Sequence, residues 1–188
     1  IQRHETVQFV QPDAGSRVLN RIRSTDPTQI DGALVANGKV YIVNPTGVYF
    51  GKEAIVDVAG LFAAAGSMTD EDFLARRDRF TDLEGRVVNL GTIQSEVVAL
   101  LGREVANRGT ITAHGGLIAL VAGDEVVLVP LGEHLSVRLS PDAVPGRVAD
   151  LAGIENSGTL DAEGGELTLA AGDLYAVYCT PCHGATGK

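Results

Sequence analysis

Cys179, Cys182 and His183, near the end of the chain in CTPCHGATGK, stand in the C-x-x-C-H spacing that attaches a c-type haem. In that chemistry both thiols add to the porphyrin vinyl groups and the imidazole becomes the proximal iron ligand. The spacing therefore nominates Cys179 and Cys182 for haem attachment and His183 for the iron. A full haem site also needs a second axial ligand and an apolar shell, yet the one Met, Met68, lies in a charged stretch. Zinc fits less well, because one C-x-x-C and one His supply too few ligands for a closed tetrahedral site. A reversible Cys179–Cys182 bridge, or two free thiols, is the plainer alternative.

No other chemistry stands out. Asp57, Glu96, Asp124, Glu125, Asp161 and Glu163 are scattered without a pair held in phase, which reads as a solvated acidic surface and not as the paired carboxylates of a carbohydrate-active enzyme. His4, His114 and His134 show neither H-x-x-x-H nor H-E-x-x-H spacing, and His114, within TAHGG, is expected to be exposed. Neither a phosphate-binding G-x-x-x-x-G-K-[ST] nor a dinucleotide-binding G-x-G-x-x-G is found. A net charge of −9 without a Lys/Arg stripe argues against nucleic acid as a partner. No apolar run reaches the roughly 18 residues that a membrane-spanning helix needs.

The elements that would carry any such residues are short strands. With 23 Gly, no Trp and an apolar content supplied mostly by Val, Leu, Ile and Ala, the 188 residues favour extended segments joined by tight turns. Examples are GALVANGKVYIV, GVYFG, AIVDVAGLFAAA, GRVVNLGTI, EVVALL, GLIALVAG, DEVVLVPL and GELTLAAGD. The exception is SMTDEDFLARRDRF, in which Ser67 or Thr69 precedes an acidic turn. It reads as a short capped helix or a polar loop near 67–80, a solvated excursion from the body.

Repetition is the most informative feature. NLGTI from Asn89, NRGTITAHGGLIALVAGD from Asn107 and NSGTLDAEGGELTLAAGD from Asn156 share N-x-G-T-[IL], and the last two continue in step to Asp124 and Asp173. The first two copies start 18 residues apart, about one rung of a β-solenoid, and the longer gap to the third has room for two to three rungs. In such a coil Asn and Gly occupy corners, and alternate Ile, Leu and Ala point inward to stack on their equivalents.

Read in order, VQFVQPDAGSRVLNRI, the stretch from Gly32 to Gly60, DEDFLARRDRF and the N-x-G-T-I repeats resemble the haemagglutination-activity domain of filamentous-haemagglutinin-type exoproteins, the substrates of two-partner secretion. The resemblance implies a right-handed parallel β-helix over residues 1–173, with further strands before Ile1. Residues 174–188 resemble the beginning of a c-type cytochrome domain.

The family's Asn-Pro-Asn-Gly turn is matched by Asn44, Pro45, Thr46 and Gly47, followed by Phe50 and Gly51. Thr46 departs from the usual Asn, and it is poorer at left-handed geometry. Proline fixes its own φ and pushes the preceding residue extended, so these residues suit a tight corner. The resemblance implies that they nucleate the coil or are recognised by the secretion partner.

It further implies a non-enzymatic secretion-recognition and folding-nucleation domain of an exoprotein that leaves a Gram-negative cell through the periplasm. The partner would be an outer-membrane β-barrel transporter, with host surfaces bound by other parts of the parent. No cofactor is expected for the β-helix and no stable membrane insertion, and haem c enters only through the terminal motif. An extracellular or periplasmic electron-transfer protein built on a β-helix scaffold is the alternative that this motif raises, with a β-helical carbohydrate-active enzyme third.

Overall fold

The computed structural model describes residues 1–131, 134–139, 153–171 and 177–179. The chain winds as a parallel β-helix whose successive rungs lie on three faces. Rung one holds β1 (Thr6–Phe9), β2 (Arg17–Arg21) and β3 (Thr28–Ile30), and rung two holds β4 (Ala33–Val43) and β5 (Gly47–Phe50). Rung three begins with β6 (Ile55–Ala64), leaves the coil for α1 (Asp70–Leu74) and β7 (Asp78–Phe80), and returns as β8 (Arg86–Asn89). Rung four holds β9 (Thr92–Gln94), β10 (Val97–Gly102) and β11 (Glu104–Asn107). Rung five holds β12 (Thr110–Thr112) and β13 (Leu117–Ala122), leaves for β14 (Val126–Leu131) and β15 (His134–Leu139), and returns as β16 (Gly153–Asn156). Rung six holds β17 (Thr159–Asp161), β18 (Glu166–Ala171) and β19 (Val177–Cys179).

The pairing is parallel from rung to rung. β3, β5, β8, β11, β16 and β19 form one six-stranded face. The long strands β4 and β6 each cross a corner, so that Ile55–Asp57 of β6 pairs β9 whereas Gly60–Ala64 pairs β10. These crossings make the other two faces one continuous curled sheet.

Inside, like residues stack on like. One column runs Leu34, Val56, Ile93, Ile111, Leu160, and another runs Val40, Leu61, Val98, Ile118. All are at most 2% exposed, so a regular strand period has been converted into a continuous apolar core.

The repeat N-x-G-T-[IL] now has a physical meaning at each letter. Asn89, Asn107 and Asn156 point inward at one corner and bond to one another: Asn89 Nδ2 donates to Asn107 Oδ1 at 2.8 Å, and Asn107 Nδ2 donates to Asn156 Oδ1 at 2.7 Å. Asn89 Oδ1 also accepts from Gly91 N at 3.1 Å, so the buried amide satisfies the turn as well as its neighbour. Gly91, Gly109 and Gly158 stack above one another. A Cβ on Gly109 would lie 2.1 Å from the Gly91 carbonyl oxygen, and one on Gly158 2.1 Å from that of Gly109. Only hydrogen fits there. Thr then faces out and Ile or Leu faces in.

Two expectations need correction. The gap from Asn107 to Asn156 does not hold two to three rungs: β11 pairs β16 directly, with Asn107 opposite Asn156, so the copies are adjacent rungs. Of the described residues between them, β14 leaves the coil and pairs antiparallel with β15 and with β7. Residues 67–80 are likewise more than a solvated excursion. Thr69 caps α1, accepting from Asp72 N, but Met68 and Phe80 are buried at 4% and 0% exposure.

Together the two excursions cover the outer side of the middle face. There Tyr41, Phe62, Ala99 and Ala119 in one column and Val43, Ala64, Leu101 and Val121 in the next form a second apolar cluster, closed over by Met68, Phe80, Leu83, Val126 and Leu128. Strands buried on both sides read as unbroken apolar runs, which is why GLFAAAG, VVALLG and LIALVAG show no polar alternation.

Candidate functional site

The corner Asn44-Pro45-Thr46-Gly47 joins β4 to β5. Gly47 N donates to Asn44 O at 3.0 Å, closing a four-residue turn, and Thr46 N donates to Asn44 Oδ1, also at 3.0 Å. Positive φ falls on Gly47, at 132°, and not on Thr46. The turn thus asks nothing left-handed of its third residue, and Pro second with Gly fourth is the pattern of a type I turn. The departure at Thr46 costs the corner nothing, and the Thr46 hydroxyl donates to Ser24 O at 2.8 Å.

Asn44 is wholly buried and reaches three rungs. Its side-chain Nδ2 donates to Asp26 O at 3.1 Å and to Thr28 Oγ1 at 3.0 Å in rung one, and its backbone N donates to Ala64 O at 3.0 Å in rung three. Rung three seats its own corner directly above: a Cβ on Gly85 would come within 2.5 Å of Pro45 O, and one on Gly47 within 2.9 Å of Arg86 O. Within this corner Pro45 and Thr46 are exposed, while Asn44 and Gly47 are buried.

Phe50 is fully buried at the end of β5 and lies opposite Asn89, one rung below the asparagine ladder. Ile30, Phe50, Asn89, Asn107, Asn156 and Cys179 occupy successive positions of one register. Gly51 N donates to Ile30 O at 2.8 Å, and Asp31 Oδ1 occupies the space a Gly51 side chain would need. The fold therefore brings the six nominated residues into two successive corners of rung two. Beside Pro45 a groove of about 310 Å³ opens between Arg21, Ile22 and Arg23 on one wall and Ser67, Met68 and Asp70 on the other.

Cys182 and His183 lie outside the described residues, and of Cys179 only its place in β19 is described, so the haem motif acquires no geometry. His114 is exposed as expected and meets Asp161 of the next rung at 3.0 Å. That hydrogen bond first, and the charge of Asp161 second, hold its pKa above the ordinary histidine value.

One cluster escaped sequence reasoning. Arg17 of rung one forms an ion pair with Asp78 of the rung-three excursion, and the Tyr41 hydroxyl donates to the same carboxylate at 3.0 Å. The Arg17 guanidinium lies 4.6 Å from the centre of the Tyr41 ring and 5.0 Å from that of Phe73. Burial pushes Asp78 above the usual carboxylate range, with Arg17 pulling the other way, and burial likewise raises Tyr41. The alternation Arg17, Leu19, Arg21 marks one outward face of a strand, but it carries no trace of a partner 61 residues away.

Comparison with known proteins agrees with this architecture. Residues 1–178 match the family described as TPS secretion domain. The chain is 35% identical over 156 residues to a heme/hemopexin-binding protein of Haemophilus influenzae, covering 77% of this chain and 17% of that protein. A second heme/hemopexin-binding protein of the same species is 43% identical over 63 residues, or 34% of this chain and 7% of that protein. The crystal structure of the HMW1 secretion domain from Haemophilus influenzae superposes with a TM-score of 0.77 at 29% identity, over 91% of this chain and 46% of that one. The chain thus spans a small part of these curated relatives and under half of the solved one. With stacked parallel rungs, the N-P-x-G corner and a family match over nearly its whole length, the chain belongs to the TPS secretion domain family, as the secretion domain of an exoprotein.

Proposed function

We propose that this domain starts the folding of its exoprotein and presents it to an outer-membrane β-barrel transporter, and that the Asn44 corner acts in nucleation. The observation that carries the second part is the burial of Asn44 with its bonds to rungs one and three. A side chain enclosed in this way is not offered to a partner by the folded domain; its effect passes through the geometry of the corner. Forming that corner sets rung two on rung one and fixes the seat of rung three, after which each rung offers an unpaired edge to the next. The parent would be secreted from a Gram-negative cell by way of the periplasm, with adhesion or ligand capture belonging to its other parts.

The test is Asn44→Ile in the full-length parent, compared with Thr46→Ala at the exposed position. Nucleation predicts that Asn44→Ile lowers the secreted amount severalfold at unchanged transcript level and that Thr46→Ala has a small effect. Unaltered export of Asn44→Ile would overturn the reading, and the reverse ranking would favour direct recognition of the exposed turn.

A further inference from the structure

We infer that the two excursions form one latch that closes across five rungs, with Arg17 as its catch, and so turn a rung-by-rung coil into a single cooperative body. A solenoid in which each rung touches only its neighbours frays from its ends. Here three sets of contacts break that rule. β7 comes from rung three and β14 from rung five, yet Phe80 pairs Val126 and Asp78 pairs Leu128. Leu83 N donates to Asp124 O at 3.1 Å, and Arg79 Nε donates to Glu125 Oε1 at 2.7 Å, again joining the two excursions. Arg17 of rung one holds Asp78 from the other side, and Arg21 of the same strand reaches Met68 O at 2.8 Å and Asp70 at 2.8 Å.

The chain order gives this arrangement a consequence. Rungs one to four end at Asn107, and β14 begins at Val126. Until β14 arrives, β7 is a three-residue strand without a ladder partner, held by the neighbouring Ser67–Thr81 bridge, by Arg17 and the Tyr41 hydroxyl on Asp78 and by its packing, while Tyr41, Phe62 and Leu101 lack part of their cover. A strand that short is not stable alone. Closure therefore reports that the first two strands of rung five, β12 and β13, are in place, and it locks rung one at the same moment.

The test is native-state hydrogen exchange on the intact domain. The latch predicts that the Thr81 and Leu83 amides of the excursions exchange with the same protection as the Leu90 and Arg108 amides beside the asparagine ladder. Arg17→Met should then lower the protection of all four amides together, at least about tenfold, since the buried Asp78 carboxylate loses its counter-charge and keeps only the Tyr41 hydroxyl, and a loss confined to Thr81 and Leu83 would refute the single body. A second variant, Val126→Asp, should leave the coil folded but give lasting binding of a hydrophobic fluorescent dye, which the unaltered domain should show only transiently during refolding. If the excursion amides of the unaltered domain exchange much faster than the ladder, or Arg17→Met leaves their protection untouched, the latch is refuted.

Discussion

At the scale of single residues, the buried amides and carboxylates make the sharpest claims. Asn107 donates to one asparagine and accepts from another, so Asn107→Ala removes the partner of Asn89 Nδ2 and of Asn156 Oδ1 together. A loss of about 3 kcal/mol is expected in denaturant unfolding, well above a typical surface substitution. Two carboxylates of the rung-three excursion, Asp72 and Asp78, have opposite pH behaviour. Asp72 accepts from Thr69 Oγ1 and from Arg77, and these bonds hold its pKa below the ordinary carboxylate value. Its contribution is therefore complete above that ordinary value and lost as pH falls through the lowered one. Asp78 is raised by burial against the pull of Arg17, Tyr41 and Lys39, so its ionisation costs stability at neutral pH and that cost disappears on acidification. Carboxyl titrations by NMR should find Asp72 below and Asp78 above the ordinary range, with Arg17→Met moving Asp78 further up. An Asp78 pKa that does not respond to Arg17→Met would contradict the ion pair. The roles of Asn89 and Gly91 were legible in the sequence because the repeat prints them at fixed spacing. The partners of Asn44 and Arg17 were not, because they depend on how distant rungs stack.

At the scale of elements, the coil rests on glycines that let one corner sit on the next. Gly109→Ala places a methyl group 2.1 Å from the Gly91 carbonyl oxygen, and the next nearest atoms, Leu90 C and Gly91 N, are backbone too, with little room to yield. It should cost at least about 2 kcal/mol, whereas Gly115→Ala meets open space and is opposed mainly by its φ of 68°. Unfolding of the pair separates close stacking from backbone conformation, and equal effects would show that stacking is not what the glycine column provides. The strands were readable from period and turn residues, and a helix cap at Ser67 or Thr69 from their position before the acidic turn, the choice of Thr69 coming from the structure. The excursion after β13 was not, since DEVVLVPL has the composition and length of a rung strand and differs only in where it pairs. The same ambiguity produced the misjudged spacing between Asn107 and Asn156.

At the scale of the whole molecule, a parallel coil can gain structure rung by rung, each rung templating the next. Its apolar core is a set of columns running the length of the helix, so each rung buries its side chains only when the next one lands on it. The Asn44 corner lies where rungs one, two and three first meet. A coil seeded there assembles in a fixed order, which pulse-labelled hydrogen exchange during refolding of the domain measures directly. Protection should appear first at the Asn44, Gly47 and Gly85 amides and last at Gly158 and Gly165, with Asn44→Ile delaying every stage. Simultaneous protection throughout, or protection beginning at rungs five and six, would contradict a coil seeded at that corner.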